Sequence, residues 1–174
     1  MKKSFVTVAV VLALAGSSSL AFAGGSHQGG HEDSEASVGA LGEAAKVTRT
    51  VNVDMTDTMR FNPASIQAAQ GETIRFVVKN SGQVKHEFVL GSEKELKEHY
   101  AMMLKMPEME HADANQVTVA PGKTGEVIWQ FTKAGTINFA CLQAGHYDAG
   151  MKGAVTVAAF KGGAKSDGHS DHKH

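Results

Sequence analysis

Residues 134–157 read AGTINFACLQAGHYDAGMKGAVTV. Ile137, Phe139 and Cys141 alternate with Thr136, Asn138 and Ala140, the period of a strand with one buried face. Ala154 to Val157 is a second short apolar run, and the chain between them turns at Gly145 and Gly150. On that connection sit Cys141, the chain's only cysteine, His146 five residues on, and Met151 five further. Taken singly, a cysteine is usually a small buried hydrophobe, a methionine is usually core, and a histidine is a satisfied or surface residue. Together, at a strand end, with glycines where a loop must close tightly, they form a soft donor set of thiolate, imidazole and thioether. Such a set suits copper, held in a plane of two imidazoles and one thiolate with a weak axial thioether. The plane needs a second imidazole, and His86 in the strand-like run VKHEFVL (84–90) can supply it.

These residues resemble the cupredoxin family, the type 1 or blue copper fold. The resemblance is carried by the C-x4-H-x4-M spacing and by the G-T-x-x-F-x-C lead-in of Gly135, Thr136, Phe139 and Cys141. It is also carried by the run GHYDAGMKG from Gly145 to Gly153, and it covers about 47–158. It implies an all-β, antiparallel Greek-key sandwich and one type 1 copper. His86, Cys141 and His146 would be its equatorial ligands and Met151 its axial ligand. It implies electron transfer rather than catalysis. Two positions depart from the family pattern: Glu87 stands where the family often has an Asn or Asp tying the two ligand loops together, and Ala144 where it often has Pro.

The start of the chain reads as an export signal: Lys2 and Lys3, an apolar run from Phe5 to about Gly16, then Ala21-Phe22-Ala23. The apolar run is short for a membrane span. Cleavage near Ala23 would leave roughly 150 residues in the periplasm, enough for one domain with a real core and not embedded in the membrane. In an oxidising compartment cysteines usually pair, so a single one asks for an explanation that coordination provides. Net charge is −1 with no basic run, so nothing points to nucleic acid. The cysteine is flanked by Ala140 and Leu142 rather than histidines, which argues against a multicopper oxidase. A dinuclear site needing two thiolates is excluded by the cysteine count, and no Ser-His-Asp, zinc-helix or phosphate-loop signature appears.

Residues 24–46 are rich in Gly, Ser, Ala, Glu and His and are expected to be a disordered lead bearing His27 and His31. Strand patterns follow at 47–55, 66–69, 73–79 and 84–90, with Phe61-Asn62-Pro63 read as a break and turns at Gln70-Gly71 and Asn80-Ser81-Gly82. Ser92-x-x-Glu95 is a capping box and predicts a helix from Glu93 to about Lys105. Strands return at 116–120 and 125–131, split by Pro121-Gly122. Short strands at this spacing fit a sandwich. The tail 159–174 loses its apolar period and carries His169, His172 and His174, read as a solvated tail or as weak metal capture.

On the helix, His99, Met102, Met103 and Met106 fall at i, i+3, i+4 and i+7, with Met109 and His111 following. One reading is a core stripe. The other is a second copper site, since thioethers and imidazoles suit Cu(I), with Met55 and Met59 adding to that surface. The pattern H-x2-M-M-x2-M-P-x-M-x-H over 99–111, beside a His-bearing lead and a type 1 ligand set, resembles the CopI-type periplasmic cupredoxins linked to copper tolerance. That resemblance implies a protein that binds, buffers or oxidises copper. The alternative is a soluble electron carrier between respiratory or photosynthetic partners, docking a redox partner near His146. The Met/His insertion at about 92–111 favours the first, and an apolar, Met-free patch around His146 would favour the second. The expected division is a signal peptide 1–23, a lead 24–46, a cupredoxin domain 47–158 and a tail 159–174.

Overall fold

The computed structural model describes residues 39–107, 109 and 113–160. The strands in chain order are β1 (Ala40–Leu41), β2 (Arg49–Thr56), β3 (Arg60–Asn62), β4 (Ser65–Ala69), β5 (Thr73–Asn80) and β6 (His86–Gly91). Helix α1 (Glu93–Met103) follows, then β7 (Gln116–Val119), β8 (Thr124–Gln130), β9 (Gly135–Ala140) and β10 (Lys152–Ala158). Two five-stranded sheets result, one ordered β1-β8-β5-β2-β3 and the other β4-β10-β9-β6-β7.

The expected sandwich is there, but its sheets are mixed rather than purely antiparallel. Val51 pairs in parallel with Phe76 between β2 and β5, and Ile66 with Val155 between β4 and β10. The reason is topological. After β2 the chain passes through β3 and into the other sheet as β4, so β5 comes back beside β2 running the same way. Parallel neighbours require a crossover of this kind.

Two local expectations are also corrected. Arg60–Asn62 is a strand rather than a break, with Met55 opposite Phe61. The lead ends earlier than Lys46: Ala40 and Leu41 pair with Gln130 and Trp129, and Ala44–Lys46 form a 3-10 turn. Gly39 allows the approach, because its φ of +125° is open only to glycine and a Cβ there would meet the Gln130 carbonyl oxygen at 2.2 Å. The expected leader, His27, His31, His111, His169, His172 and His174 lie outside the described residues.

The core between the sheets is aromatic. Phe61, Phe76, Phe88, Phe131 and Phe139 form a chain of ring contacts with centroids 5.0–6.2 Å apart. Each fully buried ring is worth about 1.5–3 kcal/mol against leaving it in water. β6 is buried along its whole length because both its faces are covered. Phe88 and Leu90 join the main core, while Val89 packs with Leu96, Tyr100 and Met103 of α1 and with Ala140, Leu142 and Tyr147. The capping box that predicted α1 forms: Ser92 Oγ accepts from the Glu95 amide at 3.2 Å, and Glu95 Oε2 accepts from the Ser92 amide at 2.8 Å.

Strand registers bring the donor-bearing segments to one end of the sandwich. Ala140, the last residue of β9, lies opposite both Lys152, the first of β10, and Val89. The start of β6 and the β9–β10 loop therefore open at the same end.

Candidate metal centre

Strand alternation puts His86 on the same face as Phe88 and Leu90, and Cys141 on the same face as Ile137 and Phe139, so both point between the sheets. The β9–β10 loop brings His146 over them. His86 Nδ1 lies 3.2 Å from His146 Nδ1 and 3.9 Å from Cys141 Sγ, and His146 Nδ1 lies 3.3 Å from Sγ. Met151 is fully buried next to them, its carbonyl accepting from the Cys141 amide at 3.1 Å.

This arrangement fits a soft cation. The ligand atoms of His86, Cys141 and His146 lie within 4.8 Å of one another. Two imidazole nitrogens 3.2 Å apart would otherwise face each other lone pair to lone pair unless one carried a proton. Two imidazoles, a thiolate and a thioether are the donors copper takes in its trigonal sites with a weak axial ligand.

The loop is held by its own backbone. His146 donates to the Gln143 carbonyl at 3.0 Å, Ala149 to Gly145 at 3.0 Å, and Met151 to His146 at 3.0 Å. Gly145 and Gly150 take φ of +85° and +92°, where a side chain is strained, and this lets eleven residues from Cys141 to Met151 fold back on themselves.

Burial pushes the Cys141 thiol up to about 12, only partly offset by the amides of Glu87 and Gln143. The Glu87 amide donates to Sγ at 3.3 Å. Without a metal the sulfur is a thiol at neutral pH, and a soft cation binding there would displace its proton. Burial, then the neighbouring charge of His86, hold the His146 imidazole below its ordinary value, which favours the neutral, ligating form.

Four supports around the donors carry no sequence signal of their own. Asp57, in the β2–β3 turn, accepts from the Gln83 amide at 2.7 Å and lies 3.1 Å from His86 Nε2. Arg60, at the end of that turn, donates to the Ala149 carbonyl at 2.9 Å. Tyr100 of α1 donates to Asp148 at 2.8 Å, accepts from the Gly145 amide at 3.1 Å, and stacks on Tyr147. Gln143 donates to Glu87 Oε1. The last contact answers the departure at Glu87: the two donor-bearing segments are tied, with a Glu–Gln pair in place of the family's Asn or Asp.

Among the described residues of the expected second site, the side chains do not all share one surface. Met103 is 2% exposed and belongs to the core under α1, and Met55 is fully buried in the main core. Met59 is partly buried against that core. Met102 and Met106 are exposed, and His99 and Met109 are half-buried. The physical reason is the helix period. Leu96, Tyr100 and Met103 stand at i, i+4 and i+7 and make the inward stripe, leaving Met102 to face away. Among the described residues, no helix is long and apolar enough to cross a membrane.

Residues 31–158 match the plastocyanin/azurin family of copper binding proteins. A protein of Rubrivivax gelatinosus named copper-resistant cuproprotein CopI is 53% identical over 135 residues, covering 77% of this chain and 82% of its own length. A Pseudomonas aeruginosa protein of the same name is 38% identical over 148 residues, covering 68% of this chain and 81% of its own. The crystal structure of dithionite-reduced auracyanin from the photosynthetic bacterium Roseiflexus castenholzii matches with a TM-score of 0.55 at 22% identity, over 64% of this chain and 98% of that one, and so shares the fold.

Proposed function

The chain belongs to the plastocyanin/azurin family of copper-binding proteins, and from there we propose that it is an exported, redox-active copper-resistance protein holding one type 1 copper on His86, Cys141, His146 and Met151. The observation that carries this is the convergence of His86 Nδ1, His146 Nδ1 and Cys141 Sγ at one buried end of the sandwich. Copper bound there would supply a one-electron Cu(II)/Cu(I) couple. The chain's contribution is to keep the donors still: His86 starts a strand, Cys141 ends one, Met151 precedes one, and all three are fully buried. His146 alone is half-buried, and it gives electrons a way in and out.

The resistance role rests on the relatives that carry that name and on two exposed thioethers, Met102 on α1 and Met106 just beyond its end. Met102 and Met106, with His99, Met109 and His111 beside them in sequence, would add a weaker Cu(I)-binding surface. The periplasm as its compartment and cleavage near Ala23 rest on the leader sequence. The division into leader, lead, domain and tail rests on composition along the chain, with the domain taken to include the strand Ala40–Leu41. A second reading is a soluble electron carrier between other proteins, favoured by the half-buried His146 edge as a docking point.

The test is a Cu(II) titration of the mature protein followed by visible absorption, beside Cys141→Ser. An intense thiolate-to-copper band saturating at one copper, and lost in the variant, is expected. Copper binding with no such band would overturn the type 1 reading. In a Met102→Leu, Met106→Leu double variant the Cu(II) titration should give the same band, while a separate Cu(I) titration should show a lower stoichiometry than the wild type. An unchanged stoichiometry would remove the α1 surface and favour the carrier.

A further inference from the structure

We infer that Asp57 is a positioning residue for the metal centre: its carboxylate fixes the His86 ring with Nε2 protonated and Nδ1 turned to the metal, and makes that ring a stronger donor to Cu(II) than to Cu(I). The inference rests on His86 being a ligand, as proposed above.

His86 is fully buried and offers one ring nitrogen to each side. Nδ1 faces Cys141 and His146, and Nε2 faces Asp57 Oδ1 at 3.1 Å. A carboxylate only accepts, so the proton between them belongs on Nε2, which leaves the Nδ1 lone pair for the ion. A carboxylate behind a ligating imidazole sets its tautomer and raises its basicity. A more basic donor favours the more highly charged Cu(II).

Asp57 is itself held in place. Oδ2 accepts from the Gln83 amide at 2.7 Å, and Oδ1 is 3.4 Å from the Val84 amide. These amides lie two and three residues before His86, so the carboxylate grips the ligand's own strand entry. The pocket it fills exists because residue 82 has no side chain. A Cβ on Gly82 would lie 2.0 Å from Asp57 Oδ1 and 2.7 Å from its Cγ. Gly82 is not in the left-handed region, so its backbone does not itself require glycine. Its absent side chain makes room for the carboxylate.

This gives two independent ways to remove the same contact. Asp57→Ala deletes the carboxylate, whereas Gly82→Ala leaves it in the chain and pushes it out of the pocket. Ser81→Ala serves as the control, since it breaks the 2.6 Å hydrogen bond to Asp54 in the neighbouring stretch without touching His86. In the metal-free protein, nitrogen NMR of the His86 ring should show the Nε2-protonated tautomer in the wild type and in Ser81→Ala. A mixture is expected in the other two. Cu(II) affinity should fall about 10–100-fold in both Asp57→Ala and Gly82→Ala, with a smaller fall for Cu(I), so that the reduction potential rises. Asp57→Asn, which keeps the shape and an acceptor but not the charge, should fall between. The inference is overturned if both variants keep the wild-type tautomer and the wild-type ratio of Cu(II) to Cu(I) affinity. It is also overturned if Ser81→Ala shifts them equally, which would mean only that the turn was loosened. A wild type with no thiolate-to-copper band would defeat the ligand assignment instead, and the metal-free tautomer would still decide the role of Asp57.

Discussion

The two imidazoles of the centre offer the same atom, Nδ1, from opposite kinds of structure. His86 begins a strand that is buried along its length, and its far nitrogen is backed by Asp57. His146 rides on a loop between two left-handed glycines and is only half-buried. Its own backbone holds it: its amide donates to Gln143 and its carbonyl accepts from Met151. The difference is one of access. One ring is built into the sheet and closed off from solvent, while the other sits at the rim within reach of it.

The sharpest way to break this comparison is to delete each ring in turn. His86→Gly and His146→Gly should each weaken Cu(II) binding by more than the roughly 10–100-fold that losing an outer partner costs. Added free imidazole should restore the thiolate-to-copper band in His146→Gly, where the gap opens near the surface. It should fail in His86→Gly, where the gap is sealed between the sheets. Equal rescue of both would erase the distinction.

A smaller effect is expected from cutting the tie between the two donor segments. Gln143→Ala removes the donor to the largely buried Glu87 carboxylate, leaving it the 3.4 Å contact with Thr118. Loss of a hydrogen bond to such a group costs about 1–3 kcal/mol, readable in the denaturation midpoint of the metal-free protein. Hydrogen exchange should quicken in the 141–151 loop and stay unchanged at His86. Quickening at both would show that the strand leans on the loop after all.

The smallest effect should come from the other end of β2, about 25 Å from the Asp57 turn along an eight-residue strand. Burial raises the Glu72 carboxyl, but the Arg49 hydrogen bond, the Ala69 amide and the Arg49 charge outweigh it and hold the group below its ordinary 4.5. Because the folded value lies below the unfolded one, the stability it contributes is fully present above pH 4.5. It is lost as the pH falls through the folded value. Glu72→Gln should therefore flatten the acid side of the stability curve in that window and leave both imidazoles alone. An altered visible band in this variant would mean that the two ends of the sandwich are coupled.

Much of the centre could be read from the chain because its donors sit where local patterns are strongest. Cys141 ends an alternating run, Gly145 and Gly150 punctuate the loop, and Ser92 and Glu95 announce the helix. Face and period are local properties. Partner and direction are not, which is why the parallel pairs β2–β5 and β4–β10 and the two-residue strand β1 left no trace. Asp57 was equally silent. A lone acid in a turn has no period, and its imidazole lies 29 residues away. Met103 is ambiguous for the opposite reason, since its residue type suits a ligand while its position, three residues after Tyr100, puts it on the buried stripe of α1, in line with the core-stripe reading.

The order of strands in the two sheets has a consequence for handling at high concentration. Among the described residues the edge strands β1, β3, β4 and β7 have two, three, five and four residues, whereas every interior strand has six or more. Unpaired ladder groups are what a second chain would need to add itself to a sheet, and short edges offer few of them. Keeping the longest strands away from the margins leaves little exposed ladder for a second copy to pair with.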